Sequence, residues 1–337
     1  MPTLIEHYQQ LSLATGPDEP GFSVVLSSDG EPLLEKHHGL ACLELGTQLS
    51  GKSAYYLASE SKPFTAMCIM HLVSAGAISL DQNVVEILPT LAQYETPVLL
   101  RHLLNHTSGI PDYLWLLECQ LGRHESDYFN NQTALELIRR ADSLDFVPGE
   151  KFAYSNSNYV LLAALIEQLS GMSAARYAAQ TLFHPLGMHH TRFDEDRASI
   201  IRNRVRSYDK DEARPFGYQQ HLGNANTVGD GGVYSCTDDL QIWQRELHRQ
   251  WQDKDSLLHM MLLPSPLNDG TVISYRFGLE LITQGGIDYL YHQGHLWGFT
   301  AILLLVPQKK LSLIQLANTD QIAADPTILI DLVGRLG

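Results

Sequence analysis

A chain of 337 residues, 44% of them hydrophobic, carries enough apolar mass for a large buried core, and two lobes are expected rather than one. Its 38 acidic residues outnumber the 23 basic ones, and a formal net charge of -15 argues against a nucleic-acid or anionic-membrane surface. The composition excludes wholesale disorder, and no apolar run approaches the ~20 residues that a membrane helix needs.

The first residues, MPTLIEHYQQLSLATG, lack the basic start and apolar segment of a signal peptide. They read as a short amphipathic helix, so the cytoplasm is the expected compartment. Next, GFSVVLSSDGEPLLEKHHGLA reads as a β-hairpin, two apolar stretches joined by the turn residues Ser-Ser-Asp-Gly. Cys42, Cys68, Cys119 and Cys236 form no close pair and no CxxC, and are expected as reduced, mostly buried thiols. From Ser59 the pattern turns helical, with Phe64, Met67, Cys68, Met70, His71 and Leu72 near one face and the run reaching Gly76.

A long middle region follows with helical periodicity and few strand signals, including TALELIRRA and SNYVLLAALIEQLSG. Past about Asn224, GDGGVYS is turn-like, and TDDLQIWQREL is an amphipathic helix with Thr237 as candidate N-cap. The stretches RFGLELI, GIDYLYH, FTAILLLVP and LSLIQLAN, spaced by Gly, Pro and Lys-Lys turns, predict an antiparallel meander. A closing helix is expected from about Pro326 to Leu336. Strands at both ends assign residues 1–75 and 225–337 to one α/β lobe and residues 76–224 to a mostly helical one. A site is expected in the cleft between them.

LASESKPFTA offers the chemistry. Ser59 and Lys62, three apart, share a helix face, and Ser61 points elsewhere. A hydroxyl at a helix start sits at the positive end of the macrodipole, which favours a developing alkoxide. Lys62 can act as base only if burial or a nearby cation lowers its pKa from the usual value of about 10.4. Ser59 is thus the candidate nucleophile and Lys62 its base. With 24 serines and 8 lysines in 337 residues, about 0.6 S-x-x-K matches arise by chance. A second does occur, at Ser207 to Lys210, in a polar segment expected to be exposed.

The flanking text decides between them. LASESKPFTA, then LVSAGAISLDQNVVEILP and LLRHLLNHTSGIPDY, closely resembles the serine β-lactamase-like family. That family groups class C β-lactamases, DD-peptidases, D-aminopeptidases and family VIII esterases. The resemblance continues through FVPGEKFAYSNSNYVLLAALIE, PLGMHHTRF, GDGGVYSCTDDLQIW and YHQGHLWGFTA, nearly the whole chain. It implies an α+β fold like those of β-lactamases and penicillin-binding proteins, an antiparallel sheet flanked by helices beside a mostly helical lobe.

Tyr154-Ser155-Asn156 matches the family's Y-x-N. The resemblance implies that Tyr154 activates the deacylating water or protonates the leaving group. Neighbouring cationic or imidazole groups are expected to lower its phenol. Asn156 would orient the substrate carbonyl or Lys62. Another Y-x-N, Tyr128 to Asn130, lacks the PGEKFA lead-in. His292-Gln293-Gly294 stands where many relatives carry K-T-G, and GHLWGFTA fixes that assignment. Gly294 is expected to let substrate backbone approach closely. The backbone N–H groups of Ser59 and His295 would form the oxyanion hole. Histidine in place of lysine makes the cation facing a substrate carboxylate absent or pH-dependent, and Gln293 replaces the usual hydroxyl residue. β-Lactam hydrolysis is therefore expected to be weak.

Trp297, three residues past Gly294, is a candidate to line the substrate pocket, as are Tyr113 and Trp115. His102 and His106 have a metal-compatible spacing but nothing to complete a site. His189-His190 reads as a turn pair, and Gly229 to Gly232 as a tight turn beside the cleft. The expected activity is that of a serine hydrolase acting on small-molecule amides, peptides or esters, with no metal and no organic cofactor. D-residues are possible in its substrates. The alternatives are a family VIII type carboxylesterase or acyltransferase, a class C-like β-lactamase, and a non-hydrolytic penicillin-binding sensor or scaffold. No nucleic-acid or membrane partner is expected, and the oligomeric state is left open.

Overall fold

The computed structural model describes residues 4–334 apart from 92, 121, 123 and 125. The expected hairpin forms β1 (Phe22–Ser28) and β2 (Glu31–His38). Its turn residues Asp29 and Gly30 have φ of 52° and 84°, the mirror-image turn that matches strand twist. The expected meander supplies β3 (Tyr275–Arg276), β4 (Leu279–Gln284), β5 (Ile287–Leu296), β6 (Phe299–Val306) and β7 (Leu311–Ala317). These seven strands make one antiparallel sheet in the order β3-β4-β5-β6-β7-β1-β2. The first strand is therefore paired with the last, Val25 standing opposite Ile314.

β6 and β7 are buried at every position, as strands covered on both faces must be. Their alternation sorts the core. Ile302, Leu304, Val306 and Leu313 face a smaller cluster with Leu4 and Tyr8 of helix α1 (Leu4–Ala14). Leu303, Leu305 and Ile314 face the main cluster, which runs without a break into the helices. There lie α2 (Lys62–Ser74), α3 (Asn156–Ser170) and α4 (Thr237–Trp251). α2 is buried from Lys62 through Met70, so it is a central helix surrounded by core rather than one with a single apolar face.

Two boundaries differ from expectation. Cys236, not Thr237, is the N-cap residue of α4: its backbone is extended, with φ of -131° and ψ of 164°, whereas Thr237 is already helical and its hydroxyl donates to the Gly51 carbonyl. The closing helix α5 spans Pro326–Gly334, and the expected end at Leu336 lies outside the described residues. Among the described residues, all four cysteines are free and only Cys119 is exposed. No described helix is long and apolar enough to cross a membrane.

Candidate active site

Ser59 does not open a helix. It lies in a turn of 3₁₀ helix, Ala58–Ser61, that leads into α2 at Lys62. Pro63, whose missing N–H is no loss in the first turn, sits just inside α2. Ala58 adopts φ of 48°, a left-handed conformation that costs a non-glycine residue about 1–3 kcal/mol. The turn is held by β5. A Cβ on Gly294 would stand 2.0 Å from the Leu57 carbonyl oxygen and 3.0 Å from the Glu60 nitrogen. Gly294 thus permits the close approach of the Ser59 turn to the sheet, and it also lines a cavity shared with Ser59, Tyr154 and His292.

Lys62 is fully buried, and its Nζ has three partners: Ser59 Oγ at 3.1 Å, Asn156 Oδ1 at 3.0 Å and the Asp230 carbonyl at 2.7 Å. Burial pushes its ammonium down to about 8, against the opposing pull of Asp230 and Asp112. A neutral amine here can donate to Asn156 and Asp230 while turning its lone pair to the Ser59 hydroxyl. Asn156 is itself fixed, its backbone N–H and its Nδ2 both donating to Asp112 Oδ2, at 2.7 and 3.0 Å. Asp112 caps the helix Tyr113–Glu118 with its other oxygen.

Tyr154 brings its ring under the Lys62 Nζ, 4.8 Å from the centroid, and stacks on His106 at 4.2 Å. Its phenol is not lowered, as had been expected. Crowding raises it well above the ordinary value, and contact with the Ser59 hydroxyl works the other way. Because 40% of the residue is open to the cleft, solvent limits that rise. The resting phenol is therefore a proton donor.

The imidazoles beside it are neutral. His292 Nδ1 faces the Gln293 carbonyl at 2.8 Å and its Nε2 the Tyr275 hydroxyl at 3.2 Å, which places the ring proton on Nδ1. Burial first, and then the Lys62 charge, push His292 down to about 3. It is therefore no cation at neutral pH. His106, fully buried, accepts from the Ser155 N–H at 3.1 Å, and burial, then Lys62, then His292 hold it well below the usual range.

Ser59 and His295 line two cavities, one on either side of them. One, about 550 Å³, is lined by Tyr113, Asn156, Asp230 and Trp297. The other, about 560 Å³, is lined by Phe152, Tyr154, Tyr275 and His292. Trp297 sits at φ of 52° in the hairpin turn between β5 and β6. It stacks against Tyr56 at 5.2 Å, and its carbonyl accepts from the Ser207 hydroxyl at 2.5 Å. That contact corrects the expectation for the second S-x-x-K. Ser207 is only 2% exposed and anchors a turn, while Lys210 lies along a strand and pairs with Glu212 at 3.7 Å.

The second Y-x-N is likewise structural, Asn130 capping the helix Asn131–Arg140 through the Thr133 N–H. Trp115 stands 60% exposed and lines neither cavity beside Ser59. His102 accepts from the Leu99 N–H as a cap, apart from His106 in role. Among the described residues, no group of three or more His, Cys, Asp or Glu could hold a metal ion.

The beta-lactamase family profile matches residues 5–335. The chain belongs to the beta-lactamase family. It is a serine hydrolase by that membership, and its relatives within the family differ in what they act on. It is 31% identical to penicillin-binding protein 4* of Bacillus subtilis, over 94% of this chain and 72% of that one. It is 28% identical to a D-aminopeptidase of Brucella canis over 92% of its length, and spans 58% of that longer relative. Among solved structures, an octameric penicillin-binding protein homologue from Pyrococcus abyssi superposes with a TM-score of 0.81 at 25% identity, covering 98% of this chain and 77% of that one.

Reading the sequence alone had missed three residues of this beta-lactamase-family site. Asp112 carried a signal, as an N-cap type before YLWLLE. His106 had been weighed only as one of a histidine pair and Asp230 only as part of the Gly229 to Gly232 turn, since only the folded chain brings them to Tyr154 and Lys62.

Proposed function

We propose that this chain hydrolyses small amides and short peptides, including those with D-residues, through an acyl-enzyme on Ser59. The observation that carries the reading is the 3.1 Å contact of Ser59 Oγ with a fully buried Lys62 whose pKa is pushed down to about 8. At pH 7 about one molecule in ten then holds Lys62 as the free amine. As Ser59 Oγ attacks the substrate carbonyl, its proton passes to Lys62 Nζ, and negative charge gathers on the carbonyl oxygen. The backbone N–H groups of Ser59 and His295 receive that charge. Collapse of the tetrahedral adduct breaks the bond to the leaving group, which takes a proton from the Tyr154 hydroxyl, and the Lys62 ammonium restores it. Water then attacks the acyl carbon by the same path in reverse, giving up its proton as the acid departs from Ser59.

Two features bear on substrate choice. The D-aminopeptidase relative supports an amide substrate with D-configuration. Neutral His292 offers no charge to a substrate carboxylate, so penicillins are expected to be poor substrates.

Intact-mass spectrometry over time tests the reading, with wild type and Ser59→Ala given a short-chain aryl ester, a D-alanyl amide and a penicillin. Turnover of the amide with a transient acyl adduct on wild type alone is the expected result. A lasting penicillin adduct without turnover of any compound would replace hydrolysis with a sensing role. Equal turnover by Ser59→Ala would remove Ser59 from the chemistry.

A further inference from the structure

A third cavity, about 770 Å³, adjoins the one of about 550 Å³ beside Ser59. Tyr56, Ala225, Thr227 and Trp297 line both, so single side chains part them. The Trp297 ring is held in place there, stacked on Tyr56 at 5.2 Å and so close to Gly223 that a Cβ on it would stand 2.9 Å away.

The chain has a formal net charge of -15, yet this third cavity gathers Arg197, Arg204 and Arg206, all three exposed. Arg206 is already matched, its Nη1 meeting Glu44 Oε1 at 2.9 Å. The other two rest on rings. The Arg197 guanidinium lies 5.3 Å from the centre of the Tyr128 ring. That of Arg204 lies 4.7 Å from the centre of the Tyr234 ring, and its Nη2 donates to the Tyr234 hydroxyl at 2.6 Å. Such contacts orient a guanidinium while leaving it its charge and most of its five N–H donors. The carboxylate in the wall, Asp194, is only 2% exposed, with Oδ1 enclosed and Oδ2 taking a bond from Asn226 Nδ2 at 3.3 Å. It tempers the Arg204 charge from beneath the surface. What the cavity presents is positive, in a molecule whose overall field repels anions.

The cavities beside Ser59 assign the halves of the substrate. Tyr154, the donor to the leaving group, lines the one of about 560 Å³ and not the one of about 550 Å³. The leaving group therefore occupies the Tyr154 side. The acyl group occupies the other, whose far wall is Trp297 with the arginines beyond it.

We propose that Arg204 and Arg197 bind an anionic group at the far end of the acyl chain, so that the preferred acyl donors are amides of acids that carry a second acid group and reach past Trp297. The assignment of halves rests on the acyl-enzyme reading above. A carboxylate matches the planar fork of a guanidinium, two N–H donors to its two oxygens.

Mono-p-nitroanilides of the straight-chain diacids from succinic to sebacic test this, each against the same anilide with its free acid made a carboxamide. The pair shares a leaving group and a chain length and differs in charge. At one or more of the longer lengths, wild type should favour the acid at least tenfold in kcat/KM. That preference should shrink at least threefold as salt rises from about 0.02 M to about 0.5 M, since the arginines are exposed. Because the net charge of the whole chain disfavours an anion, a preference for the acid reports a local cation. No preference at any length would overturn the proposal.

Arg204→Gln should lower the ratio of acid to carboxamide at least fivefold, Arg197→Gln should lower it less, and Arg204→Lys should keep most of it. Equal losses on both compounds in Arg204→Gln would mean that Arg204 only holds Tyr234 and its strand, and would overturn the proposal. Calorimetric binding of the same pair to Ser59→Ala needs no turnover: tighter binding of the acid is expected, and equal affinities would overturn the proposal as well. Wild type inert toward every anilide would count against the acyl-enzyme reading instead, and the binding pair would still decide the role of the arginine cavity.

Discussion

A lysine that must lose its proton to work imposes a pH dependence. Lys62 is brought down to about 8 by burial, so kcat/KM should rise through pH 7 and level off above about 8.5. Lys62→Arg keeps the charge but cannot deprotonate, and should cost at least about a hundredfold while abolishing the rise. A wild-type profile flat from pH 6 to 9 would mean that another group takes the Ser59 proton. Tyr154 is tested through the leaving group. A p-nitrophenolate departs without help, whereas an amine must be protonated as its bond to carbon breaks. Tyr154→Phe should therefore lose about 10²–10⁴ on an amide and far less on a p-nitrophenyl ester. Equal losses on both would confine Tyr154 to positioning.

The strand β5 and the 3₁₀ turn of Ser59 meet with no room for a methyl group at Gly294. Gly294→Ala should push that turn away from the sheet, costing about 1–3 kcal/mol in denaturant unfolding and most of the activity. Unchanged kcat/KM would show that the turn finds its place without β5. The elements themselves were largely legible. The Ser-Ser-Asp-Gly turn, the spaced apolar runs of the meander and the S-x-x-K all carry local patterns that tertiary packing did not override. What was illegible depends on proximity. The fit of Gly294 is made across sequence-distant segments, as is the link from Asp112 through Asn156 to Lys62. The ionisation of Tyr154 was misjudged for a related reason, whereas the loss of a fixed cation at His292 had been expected. A list of neighbouring residue types names the charges near a group, but the burial that dominates here exists only in the fold.

Across the molecule, the sheet divides apolar burial into two clusters with separate duties. The smaller one joins α1 to the face of the sheet opposite the main core and holds Tyr8, fully buried, with its hydroxyl 2.6 Å from Gln315 Oε1. Tyr8→Ala should lower unfolding stability by about 3–5 kcal/mol through the cavity left behind. Values of kcat/KM below the new unfolding transition should be unchanged, since Ser59 and Lys62 stand on the other side of the sheet. A loss of activity larger than the unfolded fraction would mean that the clusters are coupled.

The pairing of the first strand with the last has a consequence for how the protein comes into being. Ser59 is made early, but the strand that seats it, β5, is made late, and β7 must still follow before β1 has its second partner beside β2. At about 5–20 residues per second, roughly 10–50 s separate the synthesis of Ser59 from that of β7. Through that interval the nascent chain carries its serine and lysine without the support that makes them reactive. The order of strands therefore puts completion of the site after synthesis of β5 to β7.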